Sequence, residues 1–184
     1  MPRVNEPSRV LLDAGSIAQA VQRMAREIAA RNPPGSDLVL VGIQTGGEQL
    51  ARQLAHQLAA LWGGAVPVGQ LDISMHRDDL DQRLAPKVYP TAIPFDIADK
   101  TVVLVDDVLF SGRTTRAALD ALNDLGRPRR IQLAVLIDRG HRELPIDADF
   151  VGATIETAAA DRVDVQWGGD PGAAKVVLEK PAGA

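Results

Sequence analysis

The chain has 184 residues, 46% of them hydrophobic, and no cysteine. This length suits one domain with its own core, and the lack of cysteine excludes disulfides, thiolate nucleophiles, iron–sulfur clusters and cysteine-based zinc sites. The formal net charge of −4 gives no general attraction to nucleic acid. Since no segment resembles a signal peptide or a membrane span, we expect a single cytoplasmic domain over residues 1–184.

The predicted elements alternate between helices and strands along the chain. In order they are a helix that begins after Asp13 or Ser16 and ends by 32–35, a strand at 38–43, a helix that ends at Gly63, a strand at 66–73, a long charged loop at 74–99, a strand at 101–105, a helix at 114–125, a strand at 131–137, and short strands near 150–151, 163–167 and 175–178, the last two joined by a turn at 168–172. This alternation is typical of an α/β fold with a doubly wound, mostly parallel sheet, in which ligands bind beyond the carboxyl ends of the strands.

The most informative segment follows the apolar strand at 101–105. Asp106 and Asp107 come directly after it, and Ser-Gly-Arg-Thr-Thr at 111–115 opens the next helix. Backbone N–H groups at a helix start, with hydroxyls nearby and a glycine that permits close approach, form a phosphate site. Two adjacent carboxylates can bind ribose hydroxyls and Mg²⁺. An isolated acid pair is more often only a strand end, but the whole combination favours a binding site.

This segment resembles the signature with which type I phosphoribosyltransferases bind phosphoribosyl pyrophosphate (PRPP). Residues 71–80, 126–128 and 138–146 narrow the resemblance to the PyrR family, uracil phosphoribosyltransferases that also act as pyrimidine operon attenuators. The resemblance implies a type I phosphoribosyltransferase fold with a flexible lid loop at about 74–96 and a small hood at about 138–180. It also implies Mg²⁺-dependent formation of UMP and pyrophosphate from uracil and PRPP, and a homo-oligomer.

The resemblance assigns a role to each part of the site. Asp106 and Asp107 would bind the ribose hydroxyls and Mg²⁺, directly or through water, and Arg77 in the lid would neutralise the departing pyrophosphate. The chemistry leaves open whether a general base is needed, and Asp107 is the candidate if it is. The remaining implied contacts are Thr45, Gly46 and Gly47 with pyrophosphate, Ser111, Gly112, Arg113 and Thr114 with the 5-phosphate, and Ile137, Asp138 and Arg139 with the base. Without the resemblance, the glycine pair is an ordinary turn, 76–79 a solvated loop and Asp138–Arg139 a surface ion pair.

Two segments depart from the family pattern. PyrR proteins commonly have arginine where this chain has Gly46, so pyrophosphate would there be bound by backbone N–H groups. Residues 153–161 are neutral to acidic, where members that bind messenger RNA carry a basic segment. The rival hypothesis is an RNA-binding attenuator with little catalytic activity, which senses UMP or UTP in the same cradle and for which His141 and Arg142 are candidate RNA contacts.

Other nucleotide-binding classes are excluded by their motifs. The chain has no Gly-x4-Gly-Lys-Ser/Thr, and no Gly-x-Gly-x-x-Gly follows a predicted strand. A P-loop NTPase and a dinucleotide oxidoreductase are therefore rejected.

Overall fold

The computed structural model describes residues 8–77 and 90–181. Its main sheet is parallel and is built from β2 (Leu38–Ile43), β3 (Val68–Leu71), β4 (Thr101–Leu109), β5 (Arg130–Asp138) and β6 (Phe150–Thr154). The strand order is β3-β2-β4-β5-β6. The central strands are continuous apolar runs, as expected for a parallel sheet that is covered on both faces.

In the part of the chain that the structure describes, three α-helices cover this sheet: α1 (Ala14–Arg31), α2 (Gly46–Trp62) and α3 (Arg113–Leu125). The predicted cap of α1 is confirmed, because the Ser16 N–H donates to Asp13 Oδ1 at 2.8 Å and so satisfies one of the free donors of the first turn. The predicted end of α2 is also confirmed, with Gly63 in the left-handed conformation at φ 73°, which glycine adopts without steric cost.

Alternate side chains of β4 enter two separate cores. Val103 and Val105 pack with α1 and α2, whereas Val102 and Leu104 pack with α3. This alternation is the consequence of the two-residue period of a strand. The predicted doubly wound fold is therefore confirmed, and both faces of the sheet are buried.

A second, antiparallel sheet consists of β1 (Arg9–Leu12), β7 (Arg162–Gln166) and β8 (Lys175–Glu179) in the order β1-β8-β7. The predicted pairing of the last two strands is confirmed, but β1 comes from a segment to which the sequence assigns no strand. Residues 138–180, expected to form the hood, are divided between the two sheets, because β6 pairs with β5 in the main sheet.

The segment between β3 and β4 is described only in part. Ser74–His76 form a single 3-10 turn, and Ala92 pairs with Gln70 at the edge of β3 through two hydrogen bonds of 2.9 Å. Residues 78–89 of the expected lid lie outside the described residues. Within the described ranges, no helix is long and apolar enough to cross a membrane.

Candidate active site

The candidate site lies where the chain changes direction across the main sheet. From β2 the chain proceeds outward to β3, and it then returns to place β4 on the other side of β2. The carboxyl ends of β2 and β4 therefore diverge at a topological switch point, where open α/β sheets bind ligands. The segments that follow these two ends are 44–47 and 110–112, and Asp106 and Asp107 lie in the last part of β4.

The acid pair lies inside β4, because the strand continues to Leu109, four residues beyond its predicted end at Val105. Asp106 is only 8% exposed, and its Oδ1 accepts the Asp107 N–H at 2.8 Å. Burial and the neighbouring charge of Asp107 hold the pKa of Asp106 well above its ordinary value of 3.8. Burial also raises the pKa of Asp107, and the charge of Asp164 on β7 adds to this increase.

This cluster fits a divalent cation. Burial is the largest cause of the raised pKa of both carboxylates, so a positive charge beside them would lower the cost of their ionisation. Carboxylate oxygens are the ligands that Mg²⁺ prefers. Asp106 and Asp107 therefore have the chemistry of Mg²⁺ ligands, directly or through water.

The predicted phosphate cradle is formed by the start of α3. Gly112 caps the helix at φ 91°, a conformation that only glycine adopts at little cost, and Ser111 Oγ accepts the Arg113 N–H at 3.3 Å. The first N–H groups of a helix have no partner within it, and they lie at the positive end of the helix dipole. Arg113 itself is directed to Glu143, with Nε 2.8 Å from Oε2. The cradle therefore depends on backbone donors and hydroxyls.

The predicted pyrophosphate loop packs directly on the end of β4. A Cβ atom at Gly47 would lie 2.2 Å from the carbonyl oxygen of Val105, and one at Gly46 would lie 1.9 Å from Asp107 Oδ2. The peptide bond between Gln44 and Thr45 is cis. The loop thus brings its backbone against the acid pair, and the Asp107 carboxylate occupies the space where a residue-46 side chain would begin.

Comparison with known proteins identifies the family. The phosphoribosyl transferase domain matches residues 9–167. The bifunctional protein PyrR of Chloroflexus aurantiacus is 56% identical over 169 residues, which cover 91% of this chain and 93% of that protein. The bifunctional protein PyrR of a Roseiflexus species is 58% identical over 154 residues, 83% of this chain and 84% of that protein. The chain belongs to the PyrR family of phosphoribosyltransferases.

Solved structures agree with this family at the level of the fold. The hypoxanthine phosphoribosyltransferase of Trypanosoma cruzi superposes with a TM-score of 0.68 at 20% identity, over 94% of this chain and 97% of that one. A hypoxanthine-guanine phosphoribosyltransferase of Bacillus anthracis gives a TM-score of 0.63 at 19% identity, over 80% and 83%. The predicted type I phosphoribosyltransferase fold is confirmed.

In this phosphoribosyltransferase, the residues expected to bind the base end β5. Ile137 is buried. Although burial raises the pKa of Asp138, hydrogen bonds from Arg142 and Gly140 outweigh that effect and lower it. The Arg139 guanidinium donates through Nε to Thr157 Oγ1 at 3.2 Å and through Nη2 to the Ala158 carbonyl at 2.9 Å. The Arg139 guanidinium is therefore engaged within the protein, and a contact of Arg139 with the base stays a prediction.

The candidate RNA contact Arg142 has another task in the structure. Its Nε donates to the Ile146 carbonyl at 2.8 Å, its Nη1 to the Phe110 carbonyl at 3.1 Å and its Nη2 to Asp138 Oδ2 at 2.7 Å. The side chain is 21% exposed. Arg142 thus connects the phosphate loop to residues 138–147 through all three of its guanidinium nitrogens, and its contact with RNA stays a prediction. His141 is exposed, with Nε2 2.6 Å from the Thr157 carbonyl oxygen.

Arg77 lies at the near end of the expected lid. It follows the turn in which His76 Nε2 is 2.8 Å from Asp124 Oδ2 of α3, so the base of this segment is anchored to the body of the protein. The residues that follow Arg77 lie outside the described part of the chain. Its contact with the departing pyrophosphate stays a prediction.

Sequence reasoning missed three residues that shape the site. Phe110 has no role in the sequence motif, although its ring centroid lies 4.2 Å from the central carbon of the Arg139 guanidinium. Thr157 and Asp164 approach the site from distant segments, and neither belongs to a local motif. Asp164 lies near the acid pair only because the fold brings β7 next to β4. No local signal in the sequence predicts that contact.

Proposed function

We propose that this protein transfers the phosphoribosyl group of PRPP to N1 of uracil, forming UMP and pyrophosphate with Mg²⁺. The observation that carries the proposal is the buried acid pair at the carboxyl end of β4 followed by the open start of α3. This arrangement supplies carboxylates for a ribose and its metal ion, and N–H donors for a phosphate, next to each other. Membership of the PyrR family supports uracil as the acceptor.

Three segments of the chain would bind different parts of the substrate. Asp106 and Asp107 would hold the ribose hydroxyls, and the first turn of α3, with Ser111 and Thr114, would bind the 5-phosphate. The loop at 45–47 would bind pyrophosphate through N–H groups. Mg²⁺ held by the acid pair would add positive charge beside the leaving group, where negative charge increases during the reaction.

The chemistry needs no side-chain nucleophile. The bond between ribose C1 and the pyrophosphate oxygen breaks, its electron pair leaves with pyrophosphate, and the electron pair of uracil N1 forms the new bond to C1. The N1 proton must then be removed. Burial raises the pKa of Asp107 towards the range in which a carboxylate is an effective base near neutral pH, which supports Asp107 as the acceptor.

The test is UMP formation from uracil, PRPP and Mg²⁺, with orotate and hypoxanthine as competing bases. The double variant Asp106→Asn/Asp107→Asn should reduce kcat/KM by on the order of 100-fold or more. A matched control is Asp120→Asn, which removes an exposed carboxylate on α3 that pairs with Arg116 at 3.6 Å. No turnover of any base by the wild-type protein would contradict the proposal, as would a double variant as active as the control.

Regulation through RNA is the second candidate function, because the relatives carry the name of a bifunctional protein. The test is binding of the protein's own pyrimidine-operon leader RNA at several salt concentrations, with and without UMP. An RNA-binding attenuator requires a steep salt dependence and a change of affinity with UMP. Affinity equal to that for a scrambled RNA would exclude the regulatory function and would leave the proposed transferase activity unaffected.

The expected homo-oligomer stays a prediction, which sedimentation velocity tests.

A further inference from the structure

Arg139 is buried inside the candidate site and is bound to protein on several sides. It is 6% exposed, and its guanidinium donates to the Thr157 hydroxyl at 3.2 Å and to the carbonyls of Ala158 at 2.9 Å and Ala159 at 3.4 Å. Thr157 Oγ1 donates in return to the Arg139 carbonyl at 3.3 Å. The side chain and the backbone of Arg139 are therefore both fixed against 157–159.

The same guanidinium joins this segment to the phosphate loop. Its central carbon lies 4.2 Å from the centroid of the Phe110 ring, well within the range of a cation–π contact. Phe110 directly precedes Ser111 of the cradle, and its carbonyl accepts from Arg142. The ring edge of His141 also approaches it, with centroids 6.1 Å apart. Phe110 is thus in contact with several residues at and after the end of β5.

Only arginine suits this position. A planar guanidinium can stack on a ring while its edge donates to several acceptors, whereas a lysine ammonium is a compact and strongly hydrated charge. Burial of the charge is unfavourable and lowers the pKa of Arg139, although the charge of Asp161 partly opposes this. Asp161 Oδ2 also accepts the Ala158 N–H at 2.9 Å, so it orders the segment to which the guanidinium binds.

We propose that Arg139 is a positioning residue that holds the base-binding turn at 137–140 and the phosphate loop at 110–112 in one relative position. In UMP the base and the 5-phosphate are joined through a ribose, so both subsites can be filled only if their separation matches the nucleotide. A ligand that needs both subsites should therefore depend on Arg139 more than PRPP does. The inference rests on the proposed pyrimidine transfer and deepens it.

The experiment compares Arg139→Lys, Thr157→Val and Phe110→Leu with a control, Arg162→Lys, whose side chain on β7 is 74% exposed. Calorimetry measures the dissociation constants of UMP and PRPP, and steady-state kinetics measures KM for each substrate. Arg139→Lys should weaken UMP and raise the uracil KM by on the order of 10- to 100-fold, while PRPP affinity changes by less than about 3-fold. Because they break one unit, Arg139→Lys and Phe110→Leu should be non-additive in UMP affinity.

Three results would overturn the inference. Equal losses of UMP and PRPP affinity with a lowered melting temperature would mean that Arg139 only stabilises the fold. Additive effects of Arg139→Lys and Phe110→Leu would mean that the stacked pair transmits nothing. Unchanged UMP affinity in both Thr157→Val and Phe110→Leu would also overturn the inference, even if Arg139→Lys did not fold. A wild-type protein that binds UMP but forms none would sink the proposed transfer, while the UMP affinities would still decide the role of Arg139.

Discussion

Gly47 offers a direct test of how closely the pyrophosphate loop packs on the sheet. In Gly47→Ala the new Cβ would lie 2.2 Å from the Val105 carbonyl oxygen and 3.1 Å from the Asp106 Cα atom, well inside the 3.4 Å at which ordinary contact begins. These atoms belong to the backbone of β4, which pairs with β2 and β5 on its two sides. The backbone of β4 cannot shift at these atoms without disturbing its pairing with β2 and β5.

The size of the effect follows from two opposing terms. Overpacking of this kind costs about 3 kcal/mol, and replacing glycine by alanine inside a helix returns at most about 1 kcal/mol. A net loss of about 2–3 kcal/mol should lower the melting temperature by roughly 5–10 °C for a chain of this length. Differential scanning calorimetry measures it, with Gly64→Ala as control, because a Cβ there meets no heavy atom within 4 Å.

A melting temperature for Gly47→Ala within error of the Gly64→Ala value would refute the reasoning, since the contact that carries it would then not exist. A loss of activity at unchanged stability would also contradict it, because the strain must appear in the free protein. The strain should be present whether or not PRPP is bound.

The other predictions concern charge and burial. Gly46→Ala should lower the melting temperature less than Gly47→Ala does, because the atoms that its Cβ meets belong to the Asp107 side chain and not to the backbone of β4, and calorimetry should show weaker PRPP binding. Asp106→Asn should stabilise the protein at neutral pH, because the raised pKa of Asp106 means that folding takes up protons. Wild-type stability then falls, by up to about 1.4 kcal/mol per pH unit, as the pH rises from the ordinary pKa of 3.8 to the raised pKa of the folded protein, so urea melts of the two proteins should converge near the ordinary pKa and diverge as the pH rises above it. Arg142→Lys should lower the free energy of unfolding by about 2–4 kcal/mol, because one ammonium replaces three donors to Ile146, Phe110 and Asp138; an unchanged urea midpoint would contradict this. Gln132→Leu should cost about 1–3 kcal/mol, because it removes the buried acceptor of Asn32 Nδ2 at 2.9 Å, yet kcat/KM should stay unchanged since the pair lies near the amino end of β5.

The parts of the site that the sequence could predict are those held by local interactions. Asp106, Ser111 and Gly112 lie within one strand–turn–helix unit, so their order along the chain already places them together. The cap at Asp13 and the left-handed Gly63 are likewise decided by residues within one helical turn. Such features depend little on the rest of the fold.

Features that need a distant partner could not be read in the same way. Strand β1 has only four residues, too few for a clear alternation, and it exists because Val10 pairs with Val177 from the other end of the chain. The structural role of Gly46 depends on its close approach to Asp107, and no local sequence pattern connects the two residues. Arg139 looked available for a ligand until the fold brought Thr157 to it.

The carboxyl edge of β4 is unfavourable in the free protein and becomes favourable with its ligands. Each of the two carboxylates, Asp106 and Asp107, has its pKa raised chiefly by its own burial, and the open first turn of α3 leaves N–H donors that the helix itself cannot satisfy. A metal ion would remove the first cost, and a phosphate would satisfy the second. The two proposed ligand charges are opposite and would lie on adjacent segments, so one molecule of metal-bound PRPP would relieve both. The features that destabilise the free protein are therefore those that the substrate would stabilise. A ligand that binds only the folded state raises the stability of that state by mass action.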